Sequence, residues 1–135
     1  KFFYSVTFEY DFVHDDDTVY FAYAIPYTFS KLSLFLNQAL TLLPDANQIV
    51  RREILCKSLS GVEVPMLTVT NFGVAATMKQ YILVTGRIHP GETIGSWMMH
   101  GFLKFVLGDS PLAKELRNKV IFKIIPMVNP DGVIG

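Results

Sequence analysis

His89 and Glu92 stand three residues apart around Pro90-Gly91, just beyond an apolar run at residues 81–84 and Gly86. An imidazole and a carboxylate are a borderline and a hard donor, and together they suit zinc. Proline and glycine between them are turn residues, because Pro presets one dihedral and Gly accepts a positive one. A strand, a tight turn and a helix start mark the place where α/β folds bind ligands, outside the carboxyl end of the strand. The spacing alone is weak. With three histidines and twelve acids in 135 residues, such a pair is easily met by chance. It serves equally well as a turn histidine and a carboxylate favoured at a helix N-terminus. His14 and Asp17 share the spacing, but they sit in the run His14-Asp15-Asp16-Asp17, which reads more simply as a solvated hairpin loop.

The elements around the turn follow from periodicity. Residues 1–12 alternate loosely, with Phe3, Val6, Phe8, Tyr10 and Phe12 against Ser5, Thr7, Glu9 and Asp11, and residues 18–25 are a more apolar stretch. Both read as strands. Leu32, Phe35, Leu36, Ala39, Leu40 and Leu43 recur at helical spacing after a cap at Thr28 or Ser30, and Pro44-Asp45 stops that helix. Residues 49–59 and 64–69 read as an antiparallel pair around Ser60-Gly61. Residues 81–85 read as a short buried strand. A helix over 93–107 would bury Ile94, Trp97, Met98, Phe102, Phe105 and Val106, with His100 on its less apolar side. A short helix follows Ser110-Pro111 and ends near Arg117 or Asn118. Residues 120–128 read as an interior strand, broken only by Lys123, with Asn129-Pro130-Asp131-Gly132 as a turn at its carboxyl end. If this strand and the one at 81–85 are parallel neighbours, both polar turns share one rim.

The chain is half hydrophobic and carries no formal net charge. That is too apolar for disorder and rich for a complete small domain, so an interior piece of a larger protein fits it well. No global field favours nucleic acid, and no apolar stretch approaches the roughly 18 residues of a membrane span. The helix at 32–43 has no basic residues on its polar face, which argues against a membrane surface. Neither nucleic acid nor membrane is expected as a partner. Cys56 is the single cysteine. It mildly favours a reducing compartment and reads as a small buried apolar residue.

Longer words carry more than the spacing does. Arg87-Ile88-His89-Pro90-Gly91-Glu92-Thr93, Ser96-Trp97-Met98-Met99 and residues 122–134 (FKIIPMVNPDGVI) resemble the cytosolic carboxypeptidases, an intracellular branch of the zinc metallocarboxypeptidases. Tyr20-Phe21-Ala22-Tyr23, Pro26-Tyr27-Thr28 and residues 55–61 (LCKSLSG) resemble words of the same branch. The likeness spans essentially the whole chain, in order.

The resemblance implies an α/β fold. Residues 27–135 would be the front half of a mixed-sheet zinc carboxypeptidase domain, truncated after the Asn-Pro-Asp-Gly segment. Residues 1–26 would be the tail of a preceding β-sandwich domain. It implies one zinc ion held by His89 and Glu92 in a cytoplasmic enzyme. The enzyme would use zinc-activated water to remove C-terminal or side-chain-linked glutamates from proteins or peptides, tubulin among them. In the family a third ligand histidine, a general-base glutamate and substrate-holding arginines lie further along. Here only His100, Glu115 and Arg117 follow Glu92, and none is placed for those roles, so no catalytic residue is assignable and the chain alone is expected to be inactive. Arg87, Asn129 and Asp131 are candidates to brace a ligand from behind. For Arg87 anchoring the turn is favoured over meeting substrate. For Asn129 and Asp131 a capped turn is the simpler reading. Two further readings stand beside this one: an inactive scaffold or interaction module, and another zinc hydrolase, an amidase or deacylase, on the same fold.

Overall fold

The computed structural model describes residues 3–135. Four strands, Val50–Lys57 (β1), Glu63–Val69 (β2), Gln80–Thr85 (β3) and Val120–Ile125 (β4), form one mixed sheet. Their order is β1-β2-β4-β3. β1 and β2 are antiparallel, as are β2 and β4, whereas β3 and β4 run parallel. The parallel pair is joined through helices Thr93–Leu107 (α3) and Pro111–Lys119 (α4). Phe29–Leu42 (α1) and the short Ala46–Ile49 (α2) precede the sheet, and Pro130–Ile134 (α5) follows it. The expected mixed α/β architecture is therefore present.

Local chemistry sets the helix starts. The Thr28 hydroxyl accepts from the Lys31 amide at 3.1 Å, capping α1. Ser110 accepts from the Ala113 amide at 3.2 Å, with Pro111 in the first turn of α4. Both caps satisfy amides that have no partner within the helix. The core lies between the helices and one sheet face. Leu32 and Leu36 of α1 and Met99, Leu103 and Val106 of α3 meet Leu67, Val69, Phe122 and Ile124. The opposite face carries a polar run, Glu53–Thr68–Lys123, in which the Lys123 ammonium donates to the Thr68 hydroxyl at 2.7 Å.

Several expectations change. Residues 3–25 form no helix or strand, and Lys1 and Phe2 of the first expected strand lie outside the described residues. The two stretches do approach, with the Phe8 and Phe21 ring centroids 5.1 Å apart, around a turn at His14–Asp16. No backbone ladder joins them, and their aromatic side chains stay exposed. Two strands with no third strand or covering helix cannot bury either face. β3 is a sheet edge instead of a buried strand, with Tyr81 and Leu83 about two-thirds exposed, at 66% and 65%. α3 buries Met99, Leu103, Val106 and Leu107 and leaves Ile94, Met98 and Phe105 outside. It is apolar on two sides, so its pattern did not select one. Cys56 is exposed, because β1 is the other edge and has residues 51–57 open to solvent. The Asn129 turn proves to be the capped start of α5.

Arg117 is buried beneath α4 instead of lying on its surface. Its Nη1 donates to the carbonyls of Val106 at 2.5 Å and Gly108 at 2.8 Å, closing the end of α3. Replacing Arg117 by Met keeps the aliphatic packing but leaves those carbonyls unpaired. We expect a loss of about 2–3 kcal/mol, read from urea unfolding midpoints.

Candidate metal centre

The parallel β3–β4 pairing does not stop where the strands stop. The Gly86 amide donates to Ile125 O at 3.0 Å, Val128 N to Gly86 O at 2.9 Å, and Asn129 N to Arg87 O at 3.3 Å. These bonds hold the two polar turns side by side on one rim, as parallel neighbours must. Gly86 eases the close approach here: a Cβ would lie 3.1 Å from Pro126 O and 3.2 Å from Met99 Cε.

The turn then folds on itself. The Glu92 amide donates to His89 O at 3.1 Å, the mark of a four-residue turn with Pro90 and Gly91 at its centre. That closure brings the two donors together: His89 Nδ1 and Glu92 Oε2 are 3.4 Å apart. Gly91 does not take the positive φ expected of it. Arg87 does, at 53°. A left-handed backbone at a long side chain is costly and persists only where its surroundings enforce it.

The Arg87 side chain supplies that enforcement. It is buried; Nε donates to Pro90 O at 2.9 Å, and Nη1 donates to Tyr27 O at 3.2 Å and Ser96 Oγ at 2.9 Å. Burial draws its proton affinity below the usual arginine value, yet a guanidinium stays charged at neutral pH. Arg87 thus anchors the turn from inside through Nε and Nη1. The Tyr23 hydroxyl donates to Gly91 O, and Trp97 Nε1 to Ile25 O at 3.1 Å, so the segment before α1 is stapled over the same turn. Nothing in the sequence pattern singled out these staples, because each joins residues 60 or more apart.

The remaining candidates have other partners. Asn129 Oδ1 accepts from the Gly132 amide at 3.0 Å, capping α5. Asp131 accepts from Ser58 Oγ at 2.6 Å and the Ser60 amide at 3.1 Å, tying α5 to the β1–β2 turn. Neither side chain hydrogen-bonds His89 or Glu92. It is the backbone of α5 that packs on the turn: a Cβ on Gly132 would come 2.8 Å from Pro90 Cγ. His100 lies apart, hydrogen-bonded to Tyr27. His14 and Asp17 form no ion pair among the described residues, and Asp17 instead accepts from the Thr18 amide at 2.7 Å.

The donor pair fits zinc. Two zinc donors at about 2.1 Å and a tetrahedral angle stand about 3.4 Å apart, which matches the observed separation. Both side chains are open to solvent, at 73% and 69%, and their facing atoms have only each other as partner. No group of three or more His, Cys, Asp or Glu side chains able to hold a metal occurs among the described residues. The chain therefore brings two candidate donors together.

The zinc carboxypeptidase family profile matches residues 36–134. The chain belongs to the zinc carboxypeptidase family. Cytosolic carboxypeptidase 2 of Xenopus tropicalis is 48% identical over 134 residues, covering 97% of this chain and 14% of that protein. Human cytosolic carboxypeptidase 1 is 41% identical over 144 residues, covering all of this chain and 12% of that protein. The chain thus spans about one-seventh or less of the length of these relatives. Among solved structures, a metallo-carboxypeptidase from Burkholderia cenocepacia superposes with a TM-score of 0.70 at 28% identity, over 81% of this chain and 28% of that one. A carboxypeptidase A-like protein from Shewanella denitrificans gives 0.67 at 34% identity, over 81% of this chain and 27% of that one. Thrombin activatable fibrinolysis inhibitor, at 19% identity and TM-score 0.69 over 80% of this chain and 26% of that one, shares the fold. The family resemblance and the carboxypeptidase fold drawn from the sequence both hold.

Two outcomes test the supports. Gly132→Ala pushes Pro90 and should weaken zinc binding roughly tenfold in titration calorimetry, without touching a donor. The Ser58 hydroxyl, and then the Ser60 amide, hold the Asp131 carboxyl below the usual aspartate range. Its stabilising effect is full above the unfolded value of about 3.9 and is lost as pH falls through the lower folded value. Asp131→Asn should be less stable than the native chain at pH 7, with the gap closing as the pH drops below about 4, read from urea midpoints.

Proposed function

We propose that this chain is the metal-gripping segment of a cytoplasmic zinc carboxypeptidase that removes glutamates from protein C-termini or side-chain branches, tubulin being one substrate. The single observation that carries it is the 3.4 Å approach of His89 Nδ1 and Glu92 Oε2 on a rim built by parallel strands. The family and the names of the relatives support the reading.

His89 and Glu92 would hold one zinc ion. The chemistry that such an ion supplies when bound is polarisation of a scissile carbonyl and acidification of water. The part of this chain is positional. Arg87 locks the turn, Tyr23 covers its Gly91 carbonyl, and Asn129 and Gly132 keep α5 against Pro90. Cations elsewhere in the full-length protein would recognise the substrate carboxylates. Residues 1–26 would belong to the preceding β-sandwich domain, whose remaining strands would cover the exposed aromatic side chains there. The apolar outer faces of β3 and α3 would pack against the rest of the catalytic domain.

In the full-length protein, His89→Ala and Glu92→Gln should each cut bound zinc and glutamate release from a C-terminal polyglutamate peptide, the latter by more than ~100-fold. The 135-residue stretch alone should bind zinc weakly and show no turnover, since two ligands leave the site incomplete. Undiminished release by both variants would overturn the assignment.

A further inference from the structure

α1 and α3 flank an open groove, away from the His89–Glu92 turn, of about 570 Å3. That volume lies within the range of small-molecule sites. Its walls are apolar, chiefly Leu34, Phe35, Leu43 and Leu107. Its polar lining includes Lys31, His100 and Lys104. Between them, α1 and α3 contain no Asp or Glu, and these three side chains are their only ionisable groups. Neither lysine has an ion-pair partner among the described residues. Lys31 is held instead over the Trp97 ring, its ammonium 4.3 Å from the centroid.

His100 is oriented for the same work. Its ring stacks on Phe35 with centroids 3.8 Å apart, and Nδ1 lies 2.9 Å from the Tyr27 hydroxyl. Burial pushes the Tyr27 hydroxyl up to about 12, so it keeps its proton and can donate. The contact ties the ring of His100 to the segment before α1. The groove thus sets two ammonium groups and an imidazole beside an apolar trough. From Lys31 to Leu42 the α1 wall runs roughly 16 Å.

We propose that the α1–α3 cleft binds a single-chain amphiphilic carboxylate of the fatty-acid class. The carboxylate would lie among Lys31, Lys104 and His100, and the hydrocarbon would run along Leu34 and Leu43 toward Leu107. An uncomplemented cationic head beside an apolar trough is complementary to that ligand at both ends. The site is independent of the metal turn and of the peptidase reading.

The test titrates the full-length protein with dodecanoate below its micelle concentration, by calorimetry, beside dodecanol as the uncharged control. Saturable binding of dodecanoate at one site, at least about tenfold tighter than dodecanol, is expected. The double variant Lys31→Glu/Lys104→Glu should weaken it by at least about tenfold. Leu34→Glu, at a half-exposed wall position (58%), should weaken it similarly while the thermal transition stays in place. No saturable binding, equal affinity for the alcohol, or unchanged affinity in both variants would overturn the proposal. Displacement of dodecanoate by an acidic peptide in place of fatty acids would assign the cleft to a protein partner and overturn it too.

Discussion

The structure hangs on the backbone pairing of β3 with β4, carried past the ends of both strands. Six register pairs join the strands themselves, from Gln80–Val120 to Thr85–Ile125. Three further bonds, through Gly86, Val128 and Asn129, extend the zipper into the turns. Backbone bonds of this kind have little freedom to drift, because each is fixed by its neighbours. Everything placed on the rim inherits that rigidity. The two donor side chains stand on a framework continuous with the sheet, which is how a solvent-exposed pair can still be held at a metal-sized separation.

A second layer of order comes from buried cations that act as braces. Arg87 fastens the metal turn to the segment before α1 and to α3, and Arg117 fastens the end of α3 to α4. Both are buried guanidiniums whose partners are carbonyls and a hydroxyl, with no carboxylate among them. Such a charge is expensive to bury, and the multiple hydrogen bonds offset that cost. Arg87 joins segments 60 residues apart and Arg117 sets the corner between two consecutive helices, so each fixes tertiary geometry that helix and strand propensities cannot specify.

How much of this was legible follows the range of the forces involved. The His89–Glu92 pairing was visible because a Pro-Gly turn is local chemistry. The caps at Thr28 and Ser110, the antiparallel β1–β2 pair and the parallel β3–β4 pair were legible for similar reasons. The left-handed Arg87 was not, since its backbone is held by Pro90, Tyr27 and Ser96 acting together. Residues 81–84 read as buried because an apolar run looks the same in a sheet centre and on an edge awaiting a neighbour. α3 misled in the same way: Met98 and Met99 are both apolar, and only the packing says which one faces the core. The alternation in residues 3–12 records which side prefers water but names no partner strand.

The exposure around the donor pair has its own consequence. Ile88 and Met98 line the same shallow groove as Glu92, and both are more than half exposed, so apolar surface lies open beside a carboxylate. Any surface that settles on that groove drives out water beside Glu92 and lowers the local dielectric. Attraction between a cation and the carboxylate then strengthens steeply. Assembly around the rim and the grip on an ion would reinforce each other, each making the other tighter by the same factor.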